Sequence, residues 1–238
     1  MENPTSAREL VGCAVHAIDG NIGKVRELFF DDSTWAVRYL VVDVRKWLFH
    51  RKVLVSSPAL GKPDTERRFI PVSITRDQVR RSPWVNTDMP IALQHQASLH
   101  AHYGWEVYWG AEALMGSPVP DLFSPQAQVN HGGKPFDPHL RSTKIVTGHE
   151  IRALDGSAGR VEDFLIDGET WTIQRLIART DENRFVLLPL TAVTRISFEE
   201  QRVFVNASTA EVRSFPGHVF SLAGGHMQAS EGGMSRIA

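Results

Sequence analysis

The 238-residue chain has one cysteine, Cys13, so an internal disulfide is excluded and a structural zinc site would need other ligands. It has no excess of charge of either sign: 26 Lys and Arg stand against 27 Asp and Glu, a net charge of -1. That balance argues against a strongly basic nucleic-acid binder, although a local basic patch is compatible with a neutral total. Nowhere do about 18 apolar residues run unbroken, the length a membrane-spanning helix needs. Met1 to Leu10 mixes Glu2, Asn3, Pro4, Arg8 and Glu9, with no apolar core of signal-peptide length. These absences predict a cytoplasmic protein, with peripheral attachment to the inner membrane left open. What is present, 42% hydrophobic and 22% charged residues, is the composition of an ordinary globular chain.

Self-similarity organises the rest. Residues 12–43 align without gaps to residues 148–179 at a constant offset of 136, with ten identities in 32 positions. Among them are Gly12 with Gly148, Asp19-Gly20 with Asp155-Gly156, Gly23 with Gly159, Asp31 with Asp167, and Trp35 with Trp171.

The repeated unit reads as β-structure. A strand over 11–18 ends at the turn dipeptide Asp19-Gly20; strands over 24–30 and 35–44 follow, separated by Asp31-Asp32-Ser33. The second copy repeats this over 151–154, 161–166 and 171–178. A fourth strand, Arg51 to Val55, corresponds to Arg184 to Leu188, with Pro58 and Pro189 marking their ends. Strands are also expected over 193–197 and 202–206, the latter matched by 68–72. Each unit then closes on a short helix. Thr75 and Ser208 are its N-caps, with Gln78 and Glu211 three residues on, as a capping box requires.

The predicted fold class is therefore mainly β: two small β-barrels related by an internal repeat, with short helices and a Pro/Gly-rich linker. The expected domains are 1–82 and 144–214, joined by a linker over 83–143 and followed by a flexible tail over 215–238. Within the linker, 94–103 has the spacing of a helix.

The turn and strand motifs resemble the PRC-barrel family, known from the photosynthetic reaction centre H subunit and a ribosome maturation factor. The carriers are Gly12-x-x-Val15, Asp19-Gly20-x-x-Gly23-Lys24-Val25, Asp31-Asp32 before Trp35, and Arg51 to Val55 before Pro58. The second copy keeps Gly148, Asp155-Gly156, Gly159-Arg160-Val161, Asp167 and Trp171. The resemblance implies two such barrels in tandem and an interaction module with no shared catalytic residues. It differs from the H subunit in lacking a transmembrane helix, and from the maturation factor in having the barrel twice.

Reactive constellations are scarce. His95, His100 and His102 fall within eight residues, but no cysteine accompanies them and a packing role is preferred to metal binding. Asp19, Asp31, Asp32, Asp155 and Asp167 all sit at turns, where Asp caps its own backbone. Gly-x-Ser-x-Gly is absent, and Gly20-x-x-Gly23 lacks the helix and Lys-Ser/Thr of a phosphate loop. No catalytic, metal or cofactor site is assigned.

The aromatics are more informative. Trp47, Leu48 and Phe49 form an apolar tip flanked by Arg45, Lys46, Arg51 and Lys52, where the second copy has Thr180-Asp181-Glu182-Asn183. Interface cores favour aromatics with Arg at the rim, which makes this tip a candidate partner or dimer contact. Tyr103, Trp105, Tyr108 and Trp109 are a second cluster, able to pack the units together or to anchor at a membrane surface. The favoured reading is a non-catalytic scaffold or adaptor that self-associates through protein contacts. An RNA- or ribosome-linked module and a peripheral component of a photosynthetic or membrane electron-transfer complex are the alternatives.

Overall fold

The computed structural model describes residues 4–44, 52–82, 99–105 and 139–219. The chain enters through a two-residue strand, β1 (Thr5–Ser6), and a single helical turn, α1 (Ala7–Leu10). Ser6 caps that turn, its side chain accepting the Glu9 N–H while Glu9 reaches back to the Ser6 N–H. Then come β2 (Ala14–Ala17), β3 (Gly20–Asp31), β4 (Val37–Asp43), β5 (Lys52–Ser56), β6 (Phe69–Pro71) and α2 (Arg76–Arg81). Residues 99–103 are helical and are labelled α3.

The second half repeats the order. It opens with β7 (Leu140–Ser142) and α4 (Thr143–Val146), followed by β8 (Glu150–Arg152), β9 (Ser157–Asp167), β10 (Thr172–Arg179) and β11 (Phe185–Pro189). It closes with β12 (Val193–Ser197), β13 (Arg202–Val205) and α5 (Thr209–Ser214).

Two sheets result, and the fold is mainly β with short helices. The first runs β5-β4-β3-β2-β6, and the second runs β11-β10-β9-β8-β13-β12. Registers coincide: β2 lies parallel to β6 with Ala14 opposite Phe69, and β8 parallel to β13 with Glu150 opposite Arg202. Both capping boxes expected from the sequence are present, at Thr75 with Gln78 and at Ser208 with Glu211. Asp19 and Asp155 serve differently from the expectation. Instead of capping their own turns, they accept the N–H of Arg76 and Thr209, the first residues of α2 and α5, each at 2.7 Å.

Closure is looser than the expected barrels. Among the described residues no ladder joins β5 to β6. An isolated bridge, Leu60 to Val72, ties the chain after β5 to the end of β6, where the second sheet has β12 paired with β13. Pro63 sits in the first of these segments and cannot donate to a ladder. Two expected boundaries also move. The expected linker runs through 143, yet β7 lies at 140–142, and Pro216 and His218 of the expected tail hydrogen-bond along β11.

The glycines shared by the halves have steric reasons. Gly23 and Gly159 lie at φ +155° and +117°, and a Cβ there would fall 2.1 Å from the Asp43 carbonyl oxygen and 2.2 Å from that of Arg179. The long strands β3 and β9 can approach their neighbours β4 and β10 this closely only without a side chain. Buried apolar residues of both sheets form one continuous core.

Candidate protein-interaction site

Of the two aromatic clusters, Trp47, Leu48, Phe49, Tyr108 and Trp109 lie outside the described residues. Tyr103 and Trp105 are placed, and they face inward. Their rings stack with centroids 4.2 Å apart, Tyr103 is buried, and Trp105 packs on the core. His100, fully buried, meets Trp105 edge-on, and its Nε2 lies 3.0 Å from the Tyr39 hydroxyl of β4. His102 Nε2 lies 2.9 Å from the Gln78 carbonyl of α2, so α3 is fastened at two points.

The cover over β4 distinguishes the halves. Every residue of β4 but the last is buried, whereas Arg175 of β10, equivalent to Tyr39, is exposed. Residues 99–105 thus cap the outer face of the first sheet, and His100 and His102 are packing groups there. Among the described residues no group of three or more His, Cys, Asp or Glu converges as metal ligands would.

The carboxylates hold turns and joints. Burial pushes the Asp31 carboxyl up, but donors from Ser33 and Thr34 and the buried Arg38 guanidinium outweigh it and hold it below the usual range. Asp167 is held low by the N–H groups of Thr170 and Glu169. Arg38 has an uncharged counterpart in Gln174, whose amide reaches Asp167 at 3.0 Å. Burial is the largest cause at Cys13, whose thiol pKa is raised against the Arg68 charge, and at His149 in the equivalent position, whose pKa is lowered.

A reciprocal seam joins the sheets, and sequence reasoning missed it. β1 pairs not with its own half but with the far end of β9, Thr5 opposite Ile166. β7 in turn pairs with the far end of β3, Phe29 opposite Ser142. The hydroxyl of Ser142 donates to Glu27, and Ser6 bonds Asp163 at the matching place. Between them Ala36 bridges Thr172, with Val37 N–H donating to the Trp171 carbonyl and Ile173 N–H to that of Trp35. Both tryptophans take positive φ, 61° and 53°, which turns the chain into this bridge. Trp171 is buried and Trp35 stacks on Phe30, so both belong to the seam.

The seam carries its own electrostatics. Asp32 accepts from Arg141 Nε at 2.6 Å and lies 2.9 Å from His139 Nδ1. Arg8 pairs with Glu162 at 2.6 Å, and its N–H donates to the buried Asp163 at 3.2 Å. Burial drives the Asp163 pKa up, against the hydrogen bonds from Phe164, Ser6 and Arg8. A usable signal was present: carried back past Gly12 and Gly148, the same offset sets Ser6 against Ser142 and Leu10 against Val146.

Residues 5–79 match the PRC-barrel domain. An uncharacterized protein of Deinococcus radiodurans is 35% identical over 79 residues, 33% of this chain. The match spans 28% of the length of that curated relative.

Proposed function

Starting from the PRC-barrel domain at residues 5–79, we propose that this chain is a non-catalytic adaptor built from two such barrels, acting through protein contacts and associating with itself. The family of that domain is one of general protein-interaction modules. The observation that carries the reading is the difference between two equivalent loops. In the second half the connection between β10 and β11 is a tight polar turn, with Thr180 Oγ1 holding the Arg184 N–H at 3.2 Å. Between β4 and β5 the first half has three more residues, among them Trp47, Leu48 and Phe49 with Arg45, Lys46, Arg51 and Lys52 beside them in sequence. Tyr108 and Trp109 extend the proposed contact.

Support comes also from how the ionisable groups are spent. Asp19, Asp31, Asp155 and Asp167 serve helix ends and turns, and His100 and His102 serve packing. No described helix is long and apolar enough to cross a membrane.

The test replaces Trp47, Leu48 and Phe49 together with Ser. The expected result is an unchanged circular dichroism spectrum and melting temperature, with self-association or partner capture weakened at least tenfold. That corresponds to about 1.4 kcal/mol, within reach of a single aromatic anchor. Association at parental strength would dismiss this surface.

A further inference from the structure

We propose that the outer face of the second sheet binds an extended acidic segment of a partner protein, with the partner's carboxylates set on Arg152, Arg160 and Arg179. Resting on the reading of this chain as an adaptor, the face supplies a second contact, made of other residues than the Trp47 tip.

Residues directly opposite one another in a ladder share a face of the sheet. The registers set Arg179, Arg160, Glu150 and Arg202 in one row across β10, β9, β8 and β13. Arg152, Phe204 and Arg195 form the next row, across β8, β13 and β12. Val161, Ile151 and Val203, which alternate with them along the strands, are buried, so both rows point outward. Arg152, Arg160, Arg179 and Arg195 are exposed there. The carboxylates nearby are already engaged. Glu150 holds Arg202 at 2.9 Å, Glu200 holds Arg195 at 2.8 Å, and Glu162 is shared between Arg8 at 2.6 Å and Arg179 at 3.4 Å. Among the described residues Arg152 and Arg160 have no ion-pair partner.

A second observation points to an anionic ligand. Arg160 stands directly opposite Arg179 in the ladder, and like charges so placed cost stability. The equivalent pair in the first half is Lys24 opposite Asp43, which attracts. The same backbone thus accommodates a favourable pair, and the second half carries the unfavourable one. A carboxylate between the two guanidinium groups would remove the repulsion and add charge-assisted hydrogen bonds. The neighbouring positions differ in the same sense. His16 stacks on Phe69 at 4.9 Å in the first half, where the second half sets Arg152 and Arg202.

The chemistry of the face favours a peptide over a nucleic acid. Single-stranded bases stack on open aromatic rings, but the Phe204 ring is covered by the Arg195 guanidinium, 4.2 Å from its centroid. Glu150 and Glu200 lie among the arginines and would repel an unbroken phosphate backbone, whereas a peptide sets uncharged residues against them. A net charge of -1 gives the whole chain no long-range attraction for a polyanion. Guanidinium forks match carboxylates in a bidentate fit. From β12 to β10 the face crosses four strand spacings, about 19 Å, which about six residues of extended chain span.

The test titrates the full chain with a fluorescent peptide of about ten alternating Glu and Ser residues, about 33 Å when extended. Saturable binding is expected at about 0.01 M salt, weakening toward about 0.1 M as the screening length falls from about 30 Å to about 10 Å. Arg152→Glu with Arg160→Glu should weaken binding about tenfold or more. Arg160→Glu sets an acid opposite Arg179 and should melt at or above the parent, so the loss is one of contact and not of fold. Arg67→Glu with Lys144→Glu makes the same change in net charge on exposed residues elsewhere and should leave binding at parental strength. Absence of binding at low salt, equal losses in the two double variants, or tighter binding of a uridine oligonucleotide of the same length would overturn the proposal. Peptide binding lost when Trp47, Leu48 and Phe49 are replaced with Ser would also overturn it, assigning the segment to the tip. Parental self-association of that triple-Ser chain, with peptide binding retained, would dismiss the tip and support this face.

Discussion

Replacing Gly159 with Ala, beside Gly148→Ala in the same half, separates two reasons for keeping a glycine. Both residues lie at positive φ, +117° and +91°. At Gly148 an added Cβ would meet nothing within 4 Å, so the cost is the backbone conformation alone, about 1–2 kcal/mol. At Gly159 it would lie 2.2 Å from the Arg179 carbonyl oxygen and 2.8 Å from Thr180 Cα, both of them backbone atoms that no rotamer change can move aside. β9 must then part from β10 near the Arg160–Arg179 pair, giving up one or two ladder hydrogen bonds at about 0.5–1.5 kcal/mol each. Adding these losses to the backbone cost gives about 1.5–5 kcal/mol. In urea, with a slope of about 2 kcal/mol/M, the midpoint should fall by about 0.5–1 M for Gly148→Ala and further, by up to about 2.5 M, for Gly159→Ala. Gly23→Ala should follow Gly159→Ala, because the Asp43 carbonyl occupies the equivalent place. Equal midpoints for the Gly159 and Gly148 variants would show that the close approach is not what holds the glycine, and would refute the reasoning.

Two further predictions concern pH. Asp163 is buried and its folded pKa is raised, so the folded state holds its proton more tightly, and stability falls as pH rises from about 3.9 through the folded value. Asp163→Asn should therefore melt higher than the parent at pH 7 and level with it in acid; a lower melting temperature at pH 7 would mean that Arg8 and Ser6 more than offset burial. Asp31 is the opposite case, with its folded pKa lowered and its stabilisation lost as pH falls through that value. Ser33→Ala removes a 2.5 Å hydroxyl donor and should cost about 1–3 kcal/mol at pH 7, shifting the acid limb of a melting-temperature profile upward. Arg38→Gln, which installs the second half's residue, should shift that limb less, since the Ser33 and Thr34 hydrogen bonds outweigh the Arg38 charge; the reverse order would contradict this ranking.

Most of the architecture was legible because it depends on near neighbours in the chain. The turn glycines, the Val- and aromatic-rich strands and the capping boxes at Thr75 and Ser208 act over a few residues, and the duplication set them side by side for comparison. The offset of 136 holds through β10 and drops to 133 from β11 onward, where the second half's loop is three residues shorter. Tyr103 and Trp105 show where local reading stopped. Four aromatics in seven residues say that something is covered, and only the packing of α3 on Tyr39 says that it is the chain's own sheet.

Amino-acid order alone determined that two β-units exist, where their turns fall and which glycines they cannot lose, because those features are decided by backbone sterics and side-chain periodicity. Which strand fills the far end of β3 and of β9 was decided by the tertiary structure. Any short extended segment with a capping serine can occupy such an edge. The choice between a half's own lead and that of the other half turns on contacts such as Asp32 with His139, 107 residues apart in the chain.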